Sequence, residues 1–363
     1  MKWHFSKSAV PLLAAAAGLM AMGTGLFAQA ANVISVSGDA EYVHDPSIIK
    51  DGDTWYLFST ANGPVRNGEL PIRRSKDLHE WKRSGSVFPQ IPEWIKKQSP
   101  KTRELWAPDI SYFRGEYHLY YAFSVFGKNT SGIALVTNKT LDPQNPDFRW
   151  QDRGLVLRSE AEDNYNAIDP NLVFDGKGGM WLAFGSFWDG IKMRRLDPET
   201  GKLSTTDTKL YSLARRKRPA NPPPNPPGLP GDWEAIEAPF LVHHGDYFYL
   251  FVSFDLCCRG TRSNYKAMVG RSRDVTGPYV DASRTPLLDG GATPVLLGNE
   301  RWLGPGGQSI RMAKDHGLGD NRDIMVFHAY DGKTGQAFLQ ISTIDWTGGW
   351  PHAALEGGNP ANR

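Results

Sequence analysis

The sequence predicts an all-β fold, a single-domain five-bladed β-propeller, and three observations support this. Short strand-like runs bounded by Gly, Asp and Asn dominate the chain, and long stretches of helical period are absent after the N-terminal 30 residues. Turn formers and aromatics are abundant, with 38 Gly, 26 Pro and 12 Trp among 363 residues. One strand–turn–strand layout also recurs at a nearly fixed spacing, which is typical of radially repeated β-sheets.

Each copy of the repeat starts at a proline and continues as an apolar strand, a Gly turn and a second, aromatic-rich strand. The steps between the prolines are 62, 62, 69 and 66 residues, which is room for four strands and their loops. A β-sandwich with chance proline spacing is the alternative, and four matching copies make it the weaker one. The copies begin at Pro46, Pro108, Pro170, Pro239 and, as a weaker fifth, Pro305.

The N-terminus has the layout of a secretory signal. Lys2 and Lys7 flank the start of an apolar run over Val10 to Phe27, and the motif at residues 28–30 is Ala-Gln-Ala. We predict a signal peptide over residues 1–30, a propeller over residues 31–363, and a secreted protein, extracellular or periplasmic, with no membrane attachment after cleavage. A membrane anchor is the alternative, but this run is at the lower limit for spanning.

The net charge of +2 gives no electrostatic argument for a nucleic-acid or membrane partner. The densest basic run is Arg215-Arg216-Lys217-Arg218, which we predict to be a solvated loop. It leads into a proline-rich insertion over residues 219–231, which either walls one side of a pocket or is a surface loop. We expect a monomer.

The chain has two cysteines, and they are neighbours, Cys257 and Cys258. Neighbouring cysteines can bridge only through a strained eight-membered ring, so the expectation is two packed thiols.

Carboxylates stand at equivalent positions of three repeats. Asp45, Asp169 and Glu237 lie at the starts of the first strands of blades one, three and four. In a propeller these starts surround one end of the central channel, so the three acids are predicted to meet in one pocket. Asp109 follows its proline instead of preceding it, and strand alternation is expected to point it elsewhere.

Carboxylates around an aromatic-lined pocket can hydrolyse a glycosidic bond. One carboxylic acid protonates the leaving oxygen, and a carboxylate about 6.5–9.5 Å away activates water and inverts the anomeric centre. A third carboxylate near the acid raises its pKa by like-charge repulsion. For each acid alone the alternative is a surface turn residue, because Asp is common before Pro in turns.

The three acidic motifs resemble those of glycoside hydrolase family 43. They are His44-Asp45-Pro46, Ile168-Asp169-Pro170 and Glu237-Ala238-Pro239. The resemblance runs from about Val36 to Pro351. Further stretches are similar to the arabinanase branch of this family, namely Cys257-Cys258-Arg259-Gly260 with Tyr265, Met268-Val269-Gly270-Arg271-Ser272, Thr276-Gly277-Pro278-Tyr279, Leu105-Trp106-Ala107-Pro108-Asp109 and Gly185-Ser186-Phe187-Trp188-Asp189-Gly190-Ile191.

The resemblance implies a catalytic domain that cleaves arabinan or arabino-oligosaccharides, chains of α-1,5-linked L-arabinofuranose, internally and with inversion. It assigns Asp45 as general base, Glu237 as general acid, and Asp169 as the group that tunes the pKa of Glu237. The substrate-binding residues that it implies are Trp106, Phe187, Asn166 and Ser186. Core packing is the alternative for Trp106.

The resemblance also implies a calcium ion near the channel centre, held mainly by water and approached by one His. Some family members supply this His in a Gly-Pro-Gly-His turn, whereas the turn here ends in Gly307. We therefore expect the metal-facing imidazole to be His328, with a satisfied core His as the alternative. Calcium prefers six to eight oxygen ligands, so such an ion would be structural or electrostatic.

Three other functions stay open at this point. An exo-acting α-L-arabinofuranosidase or β-xylosidase could use the same fold, and the proline-rich insertion keeps this possible. A carbohydrate-binding propeller without activity is opposed by the three acids. A retaining fructan-type enzyme, with carboxylates about 5–5.5 Å apart, is opposed by the stretch from Cys257 to Ser272.

Overall fold

The structure is a computed structural model that describes residues 30–61, 67–225, 229–316 and 322–362. It contains five antiparallel sheets, each built mainly from consecutive strands, so the predicted five-bladed propeller is confirmed. The predicted signal peptide lies outside the described residues except for Ala30. In the described part of the chain, no helix combines the length and hydropathy needed to cross a membrane.

The strands follow the chain blade by blade, and each blade starts with its innermost strand. Two short strands come first, β1 (Val33–Ile34) and β2 (Ser37–Gly38). Blade I contains β3 (Ser47–Asp51), β4 (Thr54–Phe58), β5 (Glu69–Ser75) and β6 (Glu80–Phe88). Blade II contains β7 (Leu105–Phe113), β8 (Glu116–Phe123), β9 (Gly132–Asn138) and β10 (Gln151–Arg158). Blade III contains β11 (Asn171–Phe174), β12 (Met180–Phe184), β13 (Ile191–Leu196) and β14 (Tyr211–Ala214).

Blades IV and V complete the ring. Blade IV contains β15 (Ile236–His244), β16 (Tyr247–Phe254), β17 (Lys266–Ser272) and β18 (Thr293–Leu296). Blade V contains β19 (Trp302–Arg311), β20 (Asp323–Asp331), β21 (Ala337–Asp345) and β22 (His352–Ala353). The helices are α1 (Glu93–Gln98), α2 (Ala313–His316) and five single 3₁₀ turns, Asp232–Glu234, Gly260–Arg262, Leu287–Asp289, Thr347–Gly349 and Pro360–Asn362.

The N-terminal strand closes the ring by joining the last blade. Strand β1 pairs antiparallel with β21, with Val33 opposite Ser342 and Ile34 opposite Ile341. The start of the mature chain therefore supplies a strand to the sheet formed by its end. This pairing satisfies part of an edge that would otherwise present free backbone groups.

The core is divided into five apolar clusters, one at each contact between neighbouring blades. Strand β8 shows how one sequence serves two of them. Leu119 and Tyr121 pack toward blade I, while Tyr120, on the opposite face, packs toward blade III. Side chains alternate between the faces of a strand, so a strand covered on both faces is a continuous apolar run. Each fully buried side chain of this kind contributes about 1.5–3 kcal/mol.

The five blade starts share one unusual backbone conformation. The residue before each proline has a positive φ between 44° and 56°, and four of the five are not glycine. A proline disfavours the right-handed helical region for the residue before it, and a left-handed non-glycine residue is uncommon and concentrated at functional sites. The five residues are Asp45, Ala107, Asp169, Ala238 and Gly304.

Polar side chains just after the prolines join neighbouring blades around the channel. The Asp109 carboxylate accepts the Leu172 N–H of blade III at 2.7 Å, and Asn171 Oδ1 accepts the Leu241 N–H of blade IV at 2.8 Å. Asp109 is 3% exposed, and burial raises its pKa to about 6. Its contacts join two blades, in agreement with its exclusion from the predicted acid set.

Candidate active site

The three predicted acids come together at one end of the channel. Asp45 and Asp169 line a small axial cavity of about 30 Å³, and so does Ala238, the residue that follows Glu237. This space is enough for about one water. Each of the three acids is half-exposed, so a ligand can reach all of them. Blades I, III and IV thus deliver one carboxylate each to a common site.

Asp45 is fixed by groups from its own blade and from blade V. Its Oδ2 accepts the Thr60 hydroxyl at 2.6 Å, and its backbone N–H donates to His328 Nδ1 at 3.2 Å. Thr60 also accepts the Ala107 N–H at 2.9 Å, which links the Asp45 carboxylate to blade II. Burial raises the pKa of Asp45 to about 6, and the Thr60 hydrogen bond opposes this in part.

Glu237 receives two hydroxyl groups. Ser186 donates to Oε2 at 2.7 Å and Tyr265 to Oε1 at 2.6 Å, so both carboxylate oxygens are oriented. Burial raises the pKa of Glu237, the two hydroxyl groups lower it, and the negative charge of Asp45 raises it. The net direction is upward, toward a carboxylic acid that keeps its proton.

Asp169 contacts the same segment from blade III. Its Oδ2 accepts the Ala238 N–H at 3.0 Å, which places its carboxylate next to the backbone of Glu237. Burial raises the pKa of Asp169 well above its ordinary value, and the charges of Glu237 and Asp45 add to this. Asp169 and Glu237 therefore form a coupled pair in which the last proton is lost at elevated pH.

His328 does not fit the direct metal-ligand role predicted for it. The side chain is fully buried, its Nδ1 accepts the Asp45 N–H, and its Nε2 lies 3.3 Å from the Tyr330 hydroxyl. Its ring stacks on His44 at 4.6 Å. Burial lowers the pKa of both imidazoles, that of His44 to about 4. Both rings are therefore neutral and engaged by protein groups.

Gly307 explains why the expected His has no room in the turn. A Cβ at this position would lie 2.7 Å from Asp45 Oδ1 and 2.7 Å from His328 Cε1, and its φ is +58°. Among the described residues there is no group of three or more His, Cys, Asp or Glu side chains that could hold a metal. The calcium ion stays a prediction, and no catalytic step below is routed through it.

The predicted substrate-binding residues divide into two exposed and two buried ones. Trp106 stands directly before the left-handed Ala107, as Glu237 does before Ala238, and Trp106 and Phe187 are both half-exposed near the acids. Ser186 and Asn166 are only 3% and 4% exposed. The hydroxyl of Ser186 contacts Glu237, so its position favours orientation of this acid over contact with a sugar.

The two cysteines form a disulfide, so the expectation of packed thiols is wrong. Cys258 has a left-handed φ of 64°, and its N–H donates to the Tyr330 hydroxyl at 2.8 Å. This tight turn makes the ring of two neighbouring residues possible. Cys258 Sγ lies 3.9 Å from His44 Nδ1, which places the disulfide beside Asp45.

Two positioning residues were not assigned roles from the sequence. Tyr265 stands in the stretch that carries the resemblance, but no pattern indicates that its hydroxyl points at Glu237. Thr60 lies just after β4, and its bond to Asp45 depends on how blades I and II pack. Burial and the neighbouring carboxylates raise the pKa of Tyr265, which keeps it a hydrogen-bond donor.

Three coupled carboxylates with raised pKa values, open to ligand at one end of a five-bladed propeller, define a glycoside hydrolase. Comparison with known proteins supports this class and narrows it. The chain belongs to family 43 of the glycosyl hydrolases, whose family model matches residues 40–351.

Individual relatives agree over most of their length. The chain is similar to the extracellular endo-alpha-(1->5)-L-arabinanase 1 of Bacillus subtilis, with 41% identity over 352 residues and 96% of both chains. It is also 41% identical, over 85% of both chains, to the extracellular exo-alpha-(1->5)-L-arabinofuranosidase ArbA of Cellvibrio japonicus. The solved structure of Cellvibrio cellulosa alpha-L-arabinanase complexed with arabinohexaose matches with a TM-score of 0.77 and 39% identity, covering 86% of this chain and 96% of that one.

Proposed function

We propose that the chain is a secreted enzyme that hydrolyses α-1,5-linked L-arabinofuranose chains internally and with inversion. The observation that carries this proposal is the convergence of Asp45, Asp169 and Glu237 from three blades on one site. The names of the relatives supply the sugar, and two of them are named extracellular. An arabinohexaose complex of a similar structure also supports an oligosaccharide substrate.

Each acid has a separate role in the proposed mechanism. Asp45, ionised above its pKa of about 6, takes a proton from the attacking water. Glu237, kept protonated by burial, gives its proton to the leaving glycosidic oxygen, and its two hydroxyl partners hold it in place. Asp169 does not touch the reacting bond in this proposal. It is a positioning residue that fixes the Ala238 N–H and raises the pKa of the acid.

Replacing Asp169 by Asn is expected to shift the alkaline limb of the pH profile to lower pH. A general acid works in its protonated form, so activity is lost as pH rises through its pKa. Without the neighbouring carboxyl, Glu237 gives up its proton more easily, and this loss comes earlier. The measurement is kcat/KM on linear arabinan as a function of pH. An alkaline limb that stays in place would remove Asp169 from this role.

The mode of cleavage is tested by one reaction with two observations. Debranched arabinan is incubated with the enzyme, the products are sized over time, and the first anomer is followed by proton NMR. We expect a spread of oligosaccharides at early times and a β-anomer as first product, since inversion converts the α-linkage. The similarity to an exo-acting relative makes exo cleavage the second candidate. Arabinose alone at early times would establish it, and an α-anomer would replace inversion by retention.

A further inference from the structure

A second cavity of about 600 Å³ lies beside the acids, and none of the roles above uses it. Its wall includes two half-buried indoles, Trp188 and Trp233. Trp188 directly follows Phe187, whose N–H donates to the Ile236 carbonyl at 2.8 Å. Trp233 stands four residues before Glu237. The cavity therefore adjoins the proposed general acid, and its volume is typical of ligand sites.

The basic run predicted as a solvated loop forms part of this wall, and half of it is fixed. Arg215 donates to the Leu288 carbonyl at 2.7 Å and to Asp189 at 3.1 Å. Arg216 donates to Asp255 at 2.6 Å. These bonds hold the backbone of the run against blades III and IV, so the prediction of a solvated loop is wrong for its first half.

The second half of the run offers free positive charge. Lys217 and Arg218 are exposed, and neither has an ion pair among the described residues. The Arg218 guanidinium lies over the Trp233 ring at 5.7 Å. Two wall carboxylates are already occupied, because Asp189 binds two cations and Glu234 accepts a backbone and a side-chain amide. Positive charge thus stands next to flat aromatic surface.

We propose that this cavity binds a uronate-bearing oligosaccharide, that is, sugar rings that carry carboxylates. The indole faces of Trp188 and Trp233 suit the apolar faces of sugar rings, and Lys217 and Arg218 suit a carboxylate. A neutral sugar would leave both cations without a partner. This proposal rests on the proposed function in one respect, since the acidic residues would belong to the polysaccharide whose neutral chain reaches Glu237.

The test is a calorimetric titration of the secreted chain with trigalacturonate at low and high salt. The matched ligand is its methyl ester, which keeps the size and removes the charge. We expect binding that weakens with salt and is at least about tenfold weaker for the ester and for the variant Lys217→Ala/Arg218→Ala, because hydrogen bonds between charged groups are lost. The control variant Lys139→Ala/Lys177→Ala removes two exposed cations outside this cavity and should bind like the wild type.

Equal affinity of the wild type and Lys217→Ala/Arg218→Ala for trigalacturonate would overturn the proposal, and so would equal affinity for the acid and the ester. Thermal unfolding checks that both variants are folded, and Lys217→Arg/Arg218→Lys, which keeps the charge, should retain most of the binding. Binding needs no hydrolysis. A chain that binds trigalacturonate and leaves arabinan intact keeps this proposal and loses the proposed function, and the converse result separates the two in the other direction.

Discussion

Asp45→Asn is expected to lower kcat on linear arabinan by about 10³-fold, within the range for loss of a general base. The amide keeps the shape of the side chain and can still accept the Thr60 hydroxyl, but it cannot take a proton from water. The loss should fall mainly on kcat, because proton transfer occurs only in the transition state. The measurement is release of reducing ends at saturating substrate, together with a thermal unfolding curve that shows a folded protein.

Asp109→Asn is the matched control for this change. Asp109 lines the same axial cavity as Asp45, and burial raises its pKa to about 6 as well. Its carboxylate is bonded to the Leu172 N–H, and the amide oxygen of Asn can accept the same bond. We expect kcat to stay within about tenfold of the wild type. Equal losses for both variants would mean that any charge change in the channel is harmful, and Asp45 would lose its assignment.

The pH profile gives an independent check on Asp45. A general base works in its ionised form, so wild-type activity should fall as pH drops through about 6, the pKa to which burial raises this group. The remaining activity of the Asn variant should lack this acidic limb. An acidic limb that persists unchanged in the variant would show that another group titrates there.

The repeat made the acids predictable because a propeller converts sequence period into position. Prolines 62 to 69 residues apart fix equivalent strand starts, and equivalent starts surround one channel. Carboxylates at those starts therefore had to converge. The structure adds that the shared feature is the left-handed residue before each proline. Asp45 and Asp169 occupy that position, whereas Glu237 stands one residue earlier, which gives it different neighbours.

The rest of the site depends on packing between blades and left no trace in the spacing. Thr60 reaches Asp45, and Tyr265 reaches Glu237, through tertiary contacts between separate strands. The crowding at Gly307 likewise comes from two side chains that are distant in sequence, Asp45 and His328. The disulfide was missed because average disulfide geometry argued against it, while the left-handed turn at Cys258 permits it.

Glu237→Gln is expected to lower kcat on arabinan by about 10³-fold or more, and the loss should depend on the leaving group. An arabinan oxygen leaves as an alcohol and needs a proton, so removal of the acid blocks its departure. An arabino-oligosaccharide with an acidic phenol as aglycone leaves without help. The variant should therefore cleave the aryl substrate far better, relative to wild type, than it cleaves arabinan. Asp45→Asn should be impaired on both, because both reactions need an activated water.

The alkaline limb supplies the sign for Glu237. Wild-type activity on arabinan should fall as pH rises through the raised pKa of this acid, and on the aryl substrate the Gln variant should show no such fall. The amide can still accept the hydroxyls of Ser186 and Tyr265, so the site should keep its shape and KM should change little. A Gln variant that loses arabinan and aryl cleavage in equal proportion would show that Glu237 does not protonate the leaving oxygen, and the acid would have to be sought in its coupled neighbour, Asp169.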